Sequence, residues 1–169
     1  MARALALPAL LVLAACAAGG DELHSMHALH AMTAAPDTRE GVRFPPALRE
    51  HTLANMRDHL ATLQAIQEAL ARGAYDEAAD LSERRLGLSS LEAHGAHEVA
   101  PYMPAGMQEA GTAMHKAASR FAIEASNAGA TGDPKPAFAA LATLTAQCVA
   151  CHAAYKLENQ PPPSNSQQR

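Results

Sequence analysis

Two cysteines and a histidine near the C-terminus carry the chemistry of this chain: Cys148-Val149-Ala150-Cys151-His152. A C-x-x-C pair admits a disulfide, a metal clip or a dithiol redox centre, and a histidine directly after it adds attachment of a c-type haem. Thiols three apart lie on one helical turn, where both can add to the two vinyl groups on one edge of a porphyrin. His152, four residues on from Cys148, can then place its imidazole on the iron from one face. The dithiol alternative belongs at the start of a helix that follows a strand. The motif falls instead late in a helical stretch, in a chain read as having no strands. The expected cofactor is one covalent haem c, held by Cys148 and Cys151 with His152 as the proximal iron ligand.

Other residue types that could do chemistry are weaker. His24-x-Met26-His27-x-x-His30-x-Met32 gathers imidazoles and thioethers, which suit copper, but on a segment without a scaffold, so a polar spacer is the preferred reading. His94, His97 and His115, with Met103 and Met107, form a second group that no acid or thiol completes, and they read as ordinary loop and surface residues. The carboxylates form no acid–base pair, and neither a Gly-rich phosphate loop nor a nucleophile elbow occurs. The chain is expected not to be an enzyme. With 13 basic against 17 acidic side chains and a net charge of −4, it has no basic stripe for nucleic acid.

The elements that must position the motif follow from composition. Of 169 residues, 41 are Ala, while Val and Ile together number six and Trp is absent. Sheets need β-branched and aromatic residues, whereas Ala, Leu, Glu, Gln, Arg and Met lose little entropy in helices. The expected fold class is all-α. Leu48, Leu53, Met56, Leu60, Leu63, Ile66 and Leu70 recur at helical spacing after Pro45, and Gly73 closes this first helix. A second helix is expected from about Asp76 toward Gly95, with Gly87 inside it. A third begins near Pro104, where Met107, Met114 and Phe121 repeat at seven beside the small row Gly111, Ala118 and Ala125. A fourth runs from about Pro136 through Phe138, Leu141, Leu144, Cys148, His152 and Tyr155 to about Leu157. Four helices of similar length with short Gly/Pro breaks predict an antiparallel four-helix bundle with the haem near the C-terminus.

The N-terminus reads as an address. Arg3 precedes an apolar run from Ala4 to Ala15, the pattern of a secretory signal too short to span a membrane as a mature helix. Leu13-Ala14-Ala15-Cys16 resembles the bacterial lipoprotein box, which makes Cys16 the acylated first residue of a periplasmic, membrane-anchored protein. The organisation expected is a signal peptide over 1–15, a tether over 16–44, a cytochrome domain over 45–158 and a disordered tail over 159–169.

The stretch CVACHAAYK, Cys148 to Lys156, resembles the C-x-x-C-H-x-x-Y-[RK] that ends the last helix of class II cytochromes c, the cytochrome c′ and cytochrome c556 group. The resemblance covers roughly 45–157 and implies a left-handed four-helix bundle with its haem site near the C-terminus. It implies that Tyr155 and Lys156 belong to the haem site, the cation near a propionate. Arg72-Gly73-Ala74-Tyr75-Asp76 is similar to the family's connection between helices one and two, although shorter, which leaves the register of the distal residue open by a position. One branch of the family leaves the sixth iron position empty and binds gases such as nitric oxide and carbon monoxide. The other supplies a Met from the first helix and transfers electrons. Met56 is the residue expected there, with His59 the alternative. The leading expectation is a one-haem electron carrier with periplasmic redox partner proteins. A gas-binding protein and a copper-handling protein working through the His/Met tether are the alternatives, and a homodimer through the first two helices is open.

Overall fold

The structure, a computed structural model, describes residues 36–159, and the compact unit that holds the helices begins at Arg39. The elements in order are β1 (Glu40–Val42), α1 (Pro46–Ala71), α2 (Tyr75–Arg85), α3 (Ala96–Val99), α4 (Ala105–Thr131), α5 (Lys135–Ala154) and β2 (Tyr155–Leu157). Single 3-10 turns occupy Leu88–Ser90 and Ala100–Tyr102. The described residues are mostly helical, in agreement with the composition.

The helix boundaries have local causes. Pro45 and Pro104 occupy the caps ahead of α1 and α4, where a missing backbone N–H costs nothing. Gly73 (φ 71°) and Gly132 (φ 76°) end α1 and α4 in the left-handed region, which residues with a Cβ rarely adopt. The Gly73 and Ala74 amides then bond back to the carbonyls of Leu70 and Ala69, using carbonyls that the helix end would otherwise leave orphaned.

The long helices pack in a series, α1 on α2, α2 on α4 and α4 on α5. Their shared core joins Ile66 and Leu70 of α1, Ala78 of α2 and Leu86 just after it, Met114, Ala118, Phe121 and Ala125 of α4, and Leu141 and Leu144 of α5. The seven-residue row of large side chains on α4 is buried as expected, with Ala118 and Ala125 fully buried beside it. A smaller cluster lies at the other end: Val42, Phe44, Val99 and Met107, against which Leu48, Met103, Cys151, Tyr155 and Leu157 pack.

Three expectations need correction. The second helix is 11 residues long, not about 20. Its chain turns at Leu86 and Gly87, and the Glu83 carboxylate receives the Ser89 amide while Ser119 receives the Leu88 amide. These side-chain acceptors replace helical ones and free the chain to cross over to α4 through a loop with only one-turn helices. Second, strands do exist: β1 pairs in parallel with β2, Glu40 beside Tyr155 and Val42 beside Leu157. The last helix therefore stops at Ala154, and the Tyr155 amide still bonds the Cys151 carbonyl as its cap. Because β1 lies within 16–44, the folded unit reaches into the segment expected to be tether. Third, Leu60 does not belong to the buried stripe of α1, being 70 % exposed. The signal peptide, Cys16, the His24–Met32 cluster and nearly all of the tail lie outside the described residues.

Candidate functional site

The last two turns of α5 present Cys148, Cys151 and His152 together. Both thiols are free and half-buried, on the inner side of the helix: Cys148 packs against the main core and Cys151 against the smaller cluster. Burial pushes both thiols up from their usual pKa, and for Cys151 the neighbouring Cys148 adds to this. A reactive dithiol needs the reverse, a thiol pulled down by a helix N-terminus or a cation. At the C-terminal end of α5 the helix dipole also opposes a thiolate. Burial and the helix end thus both favour the thiol form of the pair over the thiolate.

His152 is exposed, and its ring is oriented by its own helix. Nδ1 lies 2.8 Å from the Cys148 carbonyl oxygen. A carbonyl only accepts, so Nδ1 carries the proton and donates. In the neutral ring Nε2 is then left with its lone pair, the tautomer and partner expected of a metal-ligating imidazole. The Arg39 guanidinium donates to the His152 carbonyl at 3.3 Å, and the β1–β2 ladder begins three residues later. The N-terminal strand thus holds the chain end that follows the motif.

Tyr155 and Lys156, named by resemblance, lie half-buried in β2. Gly106, in the first turn of α4, abuts the Tyr155 hydroxyl so closely that a Cβ at 106 would overlap it. Sequence reasoning missed Gly106 and Arg39, because neither contact follows from local spacing.

Met56 and His59 separate. Met56 is half-buried on α1, about three turns before Gln67 and nearly in line with it. Gln67 borders a groove between α1 and α5 of about 650 Å³ lined by Phe138, Leu141, Thr145 and Val149 among others. By helical geometry Met56 lies on the same side of α1 as Gln67, and α1 and α5 are not among the closely packed helix pairs. His59 turns instead toward the crossover. Its ring lies 4.6 Å from that of His94, which lies 5.3 Å from that of buried His115. His115 donates from Nδ1 to the Leu86 carbonyl at 2.8 Å, and His59 Nε2 is buried without a hydrogen-bond partner among the described residues. Two members of the expected His94/His97/His115 group meet, but with His59 rather than with His97, which is exposed. Among the described residues no three His, Cys, Asp or Glu side chains are arranged to hold a metal ion by themselves.

The residues at the end of α5 fit a c-type haem: two protonated thiols on one turn, and an imidazole whose free nitrogen is set by a backbone bond. No family model matches the chain, and no curated protein and no solved structure matches it.

Proposed function

We propose that this chain is a one-haem c-type cytochrome of the class II kind, a four-helix bundle of α1, α2, α4 and α5 that carries single electrons. The observation that supports it most is the His152 Nδ1–H bond to Cys148, which leaves Nε2 as the one free ring nitrogen beside two thiols suited to thioether formation. When bound, the haem iron would supply a one-electron couple.

The chain's own residues do the rest. Cys148 and Cys151 anchor the group to α5 covalently, so that it stays in place whatever happens at the iron. His152 would ligate the iron, with Met56 of α1 as the proposed second ligand. Two constant ligands let the iron change oxidation state with little rearrangement. Tyr155 and Lys156 would help hold the haem, as the resemblance implies, and β1 with Arg39 fixes the backbone that bears them. In this reading the protein is exported and held at a bacterial membrane through Cys16, where it meets its redox partner proteins.

Absorption spectra of the purified protein in both oxidation states test the reading. A six-coordinate, low-spin iron in both is expected. A five-coordinate, high-spin iron that takes up carbon monoxide would instead support the gas-binding branch.

A further inference from the structure

Three histidines meet where α1, the crossover and α4 come together. The rings of His59 and His94 have centroids 4.6 Å apart, and the His115 ring stands 5.3 Å from that of His94. His94 is fixed at both backbone and ring. Its carbonyl accepts hydrogen bonds from His51 and Asn55, both at 3.0 Å, and its Nδ1 lies 3.3 Å from Ser90 Oγ. The single Ser90 hydroxyl proton is already donated to the Gly87 carbonyl at 2.7 Å. Ser90 therefore accepts from His94, and Nδ1 is the nitrogen that donates. In the neutral ring Nε2 of His94 keeps its lone pair, and a partner on the other nitrogen is what orients a metal-binding imidazole. On the neighbouring ring, His59 Nε2 is buried and meets no hydrogen-bond partner among the described residues. A buried polar atom left unpaired calls for a water or an ion.

We propose that His59 and His94 form a two-imidazole site for a divalent first-row transition-metal ion of the zinc type. Imidazole nitrogens suit zinc, copper and nickel. Zinc–nitrogen bonds of about 2.0–2.1 Å at a tetrahedral angle hold two ligand nitrogens about 3.3 Å apart. Two rings this close can reach that spacing by side-chain rotation alone. Asp58, next to His59 in sequence, brings negative charge near both rings, although Arg85 pairs with it. Among the described residues no third His, Cys, Asp or Glu completes the set, so water fills the remaining positions, as it does in open metal sites. The site uses none of Met56, Cys148, Cys151 and His152, and so does not depend on the haem reading. Because it ties α1 to the crossover, an ion bound there favours the folded chain.

Thermal unfolding of the full-length chain at pH 7, with and without about 100 µM zinc chloride, tests the site. The midpoint is expected to rise by about 3–6 °C with the metal. His59→Leu and His94→Gln should each remove the rise, whereas His97→Gln, at an exposed histidine, should keep it. Zinc held by the His24–Met32 cluster or by the Cys148–His152 motif would act equally in all four proteins. NMR of the histidine rings during zinc titration of the wild type needs no variant. The His59 and His94 signals should move together, at one affinity. An unchanged midpoint, a rise that survives either His59→Leu or His94→Gln, or His59 and His94 signals that stay in place would each overturn the proposal.

Discussion

The rings of His59 and His94 lie 4.6 Å apart, although one belongs to α1 and the other to the crossover that precedes α4. With His115 behind them they join three parts of the chain, held in place by the Leu86 carbonyl and by Ser90. His51 and Asn55 add to the same junction, each donating to the His94 carbonyl at 3.0 Å.

This junction makes stability depend on pH. Burial, then the charges of His94 and His115, lower the His59 pKa from 6.5 to about 4, against the opposing pull of Asp58. His94 moves in the same direction, again chiefly by burial. The unfolded chain therefore takes up protons first as pH falls. The contribution of neutral His59 is complete above pH 6.5 and is lost between there and about 4. The cost from His59 alone is about 2–3 kcal/mol. Denaturant titrations at pH 7 and pH 4.5 should show the loss, and His59→Leu should flatten the difference. An unchanged pH dependence in His59→Leu would assign it to other groups.

Met56→Leu conserves volume. If the side chain only fills space, the change should cost less than about 1.5 kcal/mol and leave the absorption spectrum as it was. As the distal ligand, its replacement should give high-spin iron, lower the reduction potential and admit carbon monoxide. His59→Ala should leave the spin state unchanged, because that ring packs against His94 at the crossover. A Met56→Leu protein that stays low-spin and becomes high-spin only with His59→Ala would move the ligand to His59.

Gly106→Ala places a methyl group where the Tyr155 hydroxyl lies. The overlap should destabilise the protein by about 1–3 kcal/mol through displacement of β2 from α4. Tyr155→Phe removes the oxygen, so the double variant should be more stable than the sum of the two single effects implies. Strict additivity in thermal unfolding would show that the two residues do not meet.

The parts of the fold that were legible in the sequence are those governed by local rules. Gly73 and Gly132 end their helices, and Met107, Met114 and Phe121 form a buried row, because capping and helical period act over a few residues. The β1–β2 pairing was not legible. Glu40–Val42 has no alternating pattern, and its partner is more than a hundred residues away. The early end of α2 depends on Glu83 and Ser119 receiving amides of the crossover, a tertiary arrangement that overrides helix propensity. That Cys148, Cys151 and His152 come together on one end of α5 could be read from spacing alone. The separation of His59 from Met56 could not, since they are three residues apart and only the packing of α1 decides which one faces the crossover. Gly106 shows its role only once Tyr155 lies against it.

Whether Cys148 and Cys151 hold a haem is decided by the intact mass of the denatured protein after expression in a bacterium that matures c-type cytochromes. The chain should gain the mass of one haem and keep its colour through acid–acetone extraction, and Cys148→Ala with Cys151→Ala should abolish both. A wild-type chain with two unmodified thiols, or a pigment that survives in the double variant, would contradict the covalent attachment.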